Sequence, residues 1–375
     1  MECGCTQYEV NKLEKNSCIC VCGHFPASHK NMGVPTAGLS QLNSVENNKK
    51  KLLIPMKRNE IWPKILNPHL YEEGNDMIEV SKKLKEDKPE WITEPNKLIF
   101  LSKLGQGTSA KVYKGVFDST TGVGVEVAIK VIDFRIGQSK NKEQQILDLK
   151  KEFEIMSKLK SPNVVYLYSV IVNPTICMIL EFCSLGAMYN LLQKEKFNVD
   201  WPLFFKWTSE TLQGLSVLHN SKPQIVHRDV KTLNLLITET YQVKVADFGL
   251  SRSLDEPDMN TLQKLRGTYS YTAPEVYFGE TYTDKSDIFS VAIVFWELLY
   301  KVLKKRYLHP YKEYSNLTFD FQIIIAVAKE GVRPSFPANT PIRLQTLVKK
   351  MWQSSQTERP SCHELRERLE HLHKV

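Results

Sequence analysis

No apolar stretch in the 375-residue sequence is long enough to cross a bilayer as a helix. The longest greasy run, Val291 to Tyr300, carries Glu297 and is too short for a span. No apolar core follows the start, so no secretory leader is expected, and Glu rather than Gly at position 2 excludes N-myristoylation. Disulfide spacing is missing as well. Of eight cysteines, Cys3, Cys5, Cys18, Cys20 and Cys22 crowd the first 22 residues, and Cys177, Cys183 and Cys362 are scattered. Nor does the first quarter carry net charge. Residues 1–95 hold 13 Lys/Arg and 13 Asp/Glu, so the +8 total arises later, from 37 against 29. Such an excess favours anionic ligands without specifying them, and with no aromatic-basic stripe beside it nucleic-acid binding is not expected. These absences predict a soluble, cytoplasmic protein of a reducing compartment. What is present is apolar material: 42% hydrophobic residues over this length can supply two to three compact units.

The first unit, residues 1–30, brings Cys18, Cys20, Cys22, His24 and His29 within twelve positions. Thiolates and imidazoles at short spacing make zinc sites, but C-x-C-x-C-x-H departs from the usual C-x2-C pairs because alternate residues of an extended segment converge poorly on one ion. Three readings stand: a zinc knuckle, a reduced flexible tail, and S-acylation of Cys3 or Cys5. Residues 31–95 read as a linker and N-terminal extension. The stretch 31–56 is rich in Asn, Ser, Gly and Lys without apolar periodicity. Lys49 to Lys51 read as a solvated charge run. Beyond it, Trp62 and Trp91 suggest packing against the domain that follows.

From Leu98 the pattern turns to short alternating strands, LIFLSKLGQG and KVYKGVF, joined through Gly105 and Gly107. Glycines at such a hairpin let backbone amides approach phosphate oxygens that a Cβ would block, although an ordinary hairpin has the same look. In VGVEVAIKVIDF, Val125, Val127, Ile129 and Val131 share one strand face while Ala128 and Lys130 share the other. A lysine on a buried strand is costly unless it meets an anion. The next helix offers one. Ile146, Leu149, Phe153 and Met156 form a helical stripe, and Glu152 borders it. Strands NVVYLYSV and TICMILEFC follow, then a turn at Ser184, Leu185 and Gly186. After Asp200 the chain reads as mostly helical, with Leu203, Phe204, Trp207, Leu212, Leu215 and Leu218 on one apolar face.

The densest chemistry lies in Ile225 to Gly249, IVHRDVKTLNLLITETYQVKVADFG. Asp229, Asn234 and Asp247 stand at fixed intervals within strand-like sequence. One loop thereby offers a proton acceptor while its neighbours offer hard oxygen ligands to a metal ion, an arrangement suited to phosphoryl transfer.

The blocks GQGTSAKVYKG, VAIK, HRDVKTLN, DFG and APE (Ala273, Pro274, Glu275) resemble, in order and spacing, the eukaryotic protein kinase family over residues 96–372. The resemblance implies an α+β bilobal fold, with a small strand-rich N-lobe carrying one regulatory helix and a larger, mainly helical C-lobe. It implies that Asp229 accepts or orients the substrate hydroxyl, that Lys231 stabilises the moving phosphoryl, and that Asn234 and Asp247 hold Mg2+. Lys130 would pair ATP phosphates and Glu152. Leu104, Gly105, Gly107, Val112, Ala128, Leu236, the gatekeeper Leu180 and the hinge from Glu181 to Cys183 would surround the nucleotide. Met156, Leu167, His227 and Phe248 match the apolar column joining the lobes, anchored by Asp287. Glu275 and Arg359 would form the structural ion pair of the C-lobe, and Val291 to Leu299 its central helix.

Lys231 and Thr268 resemble the Ser/Thr pattern, with tyrosine as a side acceptor left open. MWQSSQTERPS and Trp296-Glu297 resemble the tyrosine-kinase-like group. The expected function is Mg-ATP-dependent transfer to Ser/Thr hydroxyls of protein substrates in intracellular signalling. The alternative is a pseudokinase or scaffold, against which Lys130, Glu152, Asp229, Asn234 and Asp247 are all intact. Arg228 suits capture of an activation-loop phosphate, with Thr261 the favoured carrier. Ala110 in place of the third loop glycine, and Ser109 at the tip, would loosen the lid over ATP. Oligomeric state is left open.

Overall fold

The computed structural model describes residues 89–107, 110–118, 124–132, 142–173, 175–254 and 269–374. Five antiparallel strands come first: β1 (Leu98–Gln106), β2 (Ala110–Asp118), β3 (Gly124–Ile132), β4 (Leu167–Ile171) and β5 (Cys177–Glu181). They pair in the order β1-β2-β3-β5-β4. The alternation in β3 places Val127, Ile129 and Val131 in the sheet's own core with Leu98, Phe100 and Ile179, and leaves Lys130 on the opposite face. The sequence expected a strand from Asn163. In the structure Val164 makes only an isolated bridge to Val245, and the ladder starts at Leu167.

Helix α1 (Lys142–Lys158) follows β3. Its stripe buries Leu149, Phe153 and Met156, and Trp91 packs edge-on against Phe153 at 6.1 Å between ring centroids. Burial of each such side chain contributes roughly 1.5–3 kcal/mol. The expected docking of a preceding tryptophan is met by Trp91, whereas Trp62 lies outside the described residues.

A short strand β6 (Gly186–Ala187) and helix α2 (Met188–Gln193) lead into α3 (Trp201–His219). The Asp200 carboxylate accepts the Leu203 N–H at 2.9 Å, and Pro202 stands in the first turn, where its missing donor is not needed. Next come β7 (Ile225–Val226), β8 (Leu235–Ile237), β9 (Val243–Val245) and β10 (Arg252–Ser253). β10 pairs with β7, and β8 lies between β6 and β9. Among the described residues the α-helices that follow are α4 (Pro274–Tyr277), α5 (Asp284–Lys304), α6 (Asp320–Ile325), α7 (Ile342–Met351) and α8 (Cys362–His373). Helix α5, started by a Thr283/Ser286 capping box, is buried from Ser286 to Val302 and is the axis of the helical part. Arg359 and Glu275 form a buried pair there: two guanidinium nitrogens donate to the two carboxylate oxygens at 2.7 Å each.

The architecture is a strand-rich sheet with one long helix ahead of a helical part, as the bilobal expectation required. A single apolar cluster runs from α1 and β4 through Phe248 into α5, and it includes Met156 and Leu167.

Candidate active site

β7 delivers the chain to a loop, residues 227–234, that β8 then carries away. Asp287 of α5 holds the loop's start. Its carboxylate accepts the His227 N–H at 2.8 Å, the Arg228 N–H at 2.9 Å and the Tyr282 hydroxyl at 2.8 Å. Burial pushes the Asp287 carboxyl up, but the hydrogen bond from His219 and the His227 N–H outweigh it and hold the group below the usual range. These bonds support a backbone with φ of 70° at Arg228, a left-handed conformation costing about 1–2 kcal/mol in a residue with a Cβ.

Within the loop, Lys231 donates to Asp229 at 2.7 Å, and Asn234 Nδ2 donates to the Asp229 carboxylate at 2.7 Å and to its carbonyl at 2.8 Å. Both Nδ2 hydrogens are thereby used, so the free end of the Asn234 amide is its oxygen. Burial raises the Asp229 carboxyl, Lys231 offsets part of that rise, and the nearby Asp247 adds to it. His227 sits behind: its Nε2 bonds the Ala246 carbonyl at 3.1 Å, and its Nδ1 accepts the Asp229 N–H at 3.3 Å. Its ring stacks obliquely on Phe248 at 5.3 Å.

Asp247 follows β9 with φ of 65° and a side chain 53% exposed. Desolvation pushes its carboxyl up, but Lys130, Lys231 and the Gly249 N–H together hold it below the usual range. Lys130 reaches Glu152 at 2.6 Å and Asp247 at 3.8 Å. Burial pushes the pKa of this lysine down, but the Glu152 and Asp247 carboxylates outweigh it and raise the pKa above the usual value, so it stays charged. Lys130, Glu152 and Asp247 thus form one contact group and Asp229, Lys231 and Asn234 another, and the charge of Asp247 is felt at Asp229.

The residues expected to surround a nucleotide line the strands on either side. Gly105 pairs with Val112 across the β1–β2 ladder, and a Cβ at Gly105 would meet nothing within 4 Å. The protein's own packing therefore does not demand glycine at position 105, which is consistent with a demand from a ligand. Leu104 beside it is exposed, Val112 lies opposite Lys130, and Ala128 lies opposite Leu180. Leu236 is half-buried on β8. The Glu181 side chain accepts from Lys244 at 2.7 Å and from the Tyr166 N–H at 3.1 Å, and its own N–H donates to the Tyr166 carbonyl at 2.8 Å. Cys183 is buried, and burial pushes its thiol up to about 12. Lys244 gave no sequence signal, since its partner lies on another strand.

Across residues 98–369 the sequence matches the protein tyrosine and serine/threonine kinase family. The chain belongs to that family. The kinase is 42% identical to the stress-activated protein kinase alpha of Dictyostelium discoideum over 278 residues, 74% of this chain and 42% of that one. It is 43% identical to a second Dictyostelium protein, named as a probable serine/threonine-protein kinase, over 75% of this chain and 32% of the other. The Arabidopsis thaliana serine/threonine-protein kinase STY46 is 35% identical over 76% of this chain and 46% of its own length. The chain spans less than half the length of these relatives. The serine/threonine names accord with the tyrosine-kinase-like resemblance.

A protein kinase takes ATP and Mg2+, and the residues present fit both. Asn234 and Asp247 supply hard oxygens of the kind Mg2+ selects, and Lys130 supplies a charge for phosphates. No described helix is long and apolar enough to cross a membrane. Among the described residues no group of three or more His, Cys, Asp or Glu is arranged to hold a metal. The cysteines and histidines of 18–29 lie outside the described residues, as do Ser109, Thr261 and Thr268.

Proposed function

We propose that this chain transfers the γ-phosphoryl group of Mg-ATP to serine and threonine hydroxyls of protein substrates in intracellular signalling. The observation that carries the reading is the Asp229 carboxylate, gripped by Lys231 and Asn234 and coupled to an Asp247 that Lys130 also touches. In the proposed reaction Asp229 orients the acceptor hydroxyl and takes its proton as the oxygen attacks phosphorus. Its raised carboxyl is the better base for that task. Lys231 remains close enough to offset negative charge on the moving group, and Lys130, steadied by Glu152, orients the phosphates. Mg2+, when bound, neutralises phosphate charge, and Asn234 and Asp247 would hold it. Leu104, Gly105, Gly107, Val112, Ala128, Leu180, Leu236 and the backbone from Glu181 to Cys183 would enclose the nucleotide.

Serine/threonine preference is supported by Lys231 and by the names of the relatives. A cytoplasmic setting belongs to the same proposal. Zinc at Cys18, Cys20, Cys22, His24 and His29 rests on spacing alone, and the metal content of the purified chain tests it. For the activity, the test is phosphate incorporation on a peptide array with Mg-ATP, run beside Asp229→Asn and Asp247→Ala. Incorporation by the wild type that both variants lose supports the assignment. Equal incorporation by all three overturns it in favour of a noncatalytic scaffold.

A further inference from the structure

The loop that carries Asp229 also holds a leucine partly in water. Leu233 is 46% exposed, between Thr232 with no exposure and Asn234 at 8%. A single exposed leucine is ordinary on a protein surface, but this one stands on backbone that is fixed on both sides. The Thr232 carbonyl accepts the Tyr189 N–H at 3.0 Å, the Asn234 N–H donates to the Lys231 carbonyl at 2.9 Å, and the Asn234 carbonyl accepts the Ala246 N–H at 2.9 Å. The Thr232 hydroxyl meets Tyr271 and Glu297 at 3.2 Å each. Leu233 is therefore fixed at the surface, one residue from the amide that grips the Asp229 carboxylate at 2.7 Å.

The same contacts show which charges are spent around it. A basic residue beside the acceptor would call for a carboxylate open to water. In the loop 227–234 the one acid is Asp229, and Lys231 and Asn234 already bond it. Helix α2, whose Tyr189 N–H docks on the loop, reads MYNLLQ and has neither acid nor base. Glu297 reaches the loop at Thr232, but it has no exposure and accepts from the Tyr307 and Tyr271 hydroxyls at 2.7 and 2.9 Å. The Tyr307 ring packs edge-on against Tyr189 at 5.6 Å between centroids, and both tyrosines are half-buried. What adjoins Asp229 along these contacts is leucine and tyrosine.

We propose that Leu233 is a specificity-determining residue, and that the substrate presents an apolar side chain, of the size of leucine or phenylalanine, within a few positions of the phosphorylated serine or threonine. The inference rests on the kinase reading and deepens it by naming the substrate class. An apolar side chain laid on a leucine whose backbone is already fixed gains the hydrophobic contribution with little ordering cost to the enzyme. A charged side chain laid there loses hydration, and neither α2 nor the loop offers it an open carboxylate. The contact belongs to binding, so it acts on KM.

The test uses the full chain with Mg-ATP and serine peptides in which each flanking position in turn is Leu, Ala, Arg or Glu. Covering a partly exposed leucine is worth about a tenfold change in affinity. At one flanking position the Leu peptide is expected to exceed the Ala peptide by about that factor in kcat/KM, through KM. This ratio cancels any general loss of activity. It is expected to vanish in Leu233→Glu and in Leu233→Ala, which deletes the contact without adding charge, and to persist in Leu233→Met. A wild type that prefers Arg or Glu at every flanking position, or shows no preference, overturns the proposal, as does a Leu preference intact in Leu233→Glu and Leu233→Ala. Fluorescence anisotropy of the Leu peptide with its acceptor serine replaced by alanine gives a readout independent of turnover. Binding about tenfold weaker in Leu233→Ala than in wild type supports the contact, and equal binding overturns it. A wild type no more active than Asp229→Asn instead overturns the kinase reading and leaves the anisotropy to decide whether Leu233 holds an apolar side chain.

Discussion

Glu297, at the middle of α5, is a carboxylate with no exposure to water. Its partners are uncharged hydroxyls: Tyr307 at 2.7 Å, Tyr271 at 2.9 Å and Thr232 of the catalytic loop at 3.2 Å. Burial pushes its pKa up from 4.5 to about 7, and the three hydroxyl donors keep it from rising further. At 1.36 kcal/mol per pKa unit, the change is worth roughly 3 kcal/mol, undiminished by solvent because the group is fully enclosed. A raised acid holds its proton in the folded protein after the unfolded chain has released it. Its stabilising contribution is therefore complete below pH 4.5 and is lost as pH rises to about 7. Glu297→Gln removes the titration. Any fixed cost of the lost acceptor is the same at every pH, so the difference in pH dependence isolates the carboxyl. Urea midpoints of both proteins from about pH 4.5 to about pH 8 are expected to diverge, with the variant gaining roughly 3 kcal/mol relative to wild type across that window. Parallel pH profiles would refute the argument and mean that Glu297 titrates as an ordinary carboxylate.

The buried Glu275–Arg359 pair gives a second expectation. Arg359→Met strands Glu275 and is expected to cost about 3–5 kcal/mol, while adding Glu275→Leu recovers most of it; calorimetric midpoints of the three proteins check this. Gly214→Ala in α3 sets two effects against each other. Helix propensity favours alanine by about 1 kcal/mol, but the new Cβ would lie 2.5 Å from the Asn163 carbonyl oxygen and 2.6 Å from Val245 Cγ2, an overlap worth about 1–3 kcal/mol. Net destabilisation is expected, read as a lower urea midpoint. Asp200→Ala removes the cap of α3 and is expected to lower stability by about 1 kcal/mol, with faster amide exchange confined to the helix's first turn.

The site was legible from sequence where function depends on local spacing. Asp229 and Asn234 lie five residues apart on one loop, and their mutual hydrogen bonds follow from that proximity. Alternation placed Lys130 off the core face of β3, and helical periodicity put Glu152 beside a buried stripe, so each was a candidate on its own segment. The cost of burying a lysine made Glu152 a candidate partner, and the family resemblance implied their meeting. Nothing in periodicity pointed to Lys244 against Glu181 or to Arg252 against Asp148, because each pair joins elements distant along the chain. Glu297 was legible as an interruption of a greasy run, and its three hydroxyl partners were not.

Sequence alone determined the identities and local conformations: which residues can titrate, which faces of β3 and α1 are apolar, where Asp200 and Thr283 start helices, and the spacing of the reactive loop. Those properties depend on neighbours within a few positions, where chain connectivity sets the distances. Tertiary structure decided which charges meet and in what state they stay. Lys130 remains charged because two carboxylates outweigh its burial, and Glu297 is raised because its partners are hydroxyls instead of a cation. Electrostatic energies inside a protein depend on separations of a few ångströms and on exclusion of water, and packing between distant segments sets both.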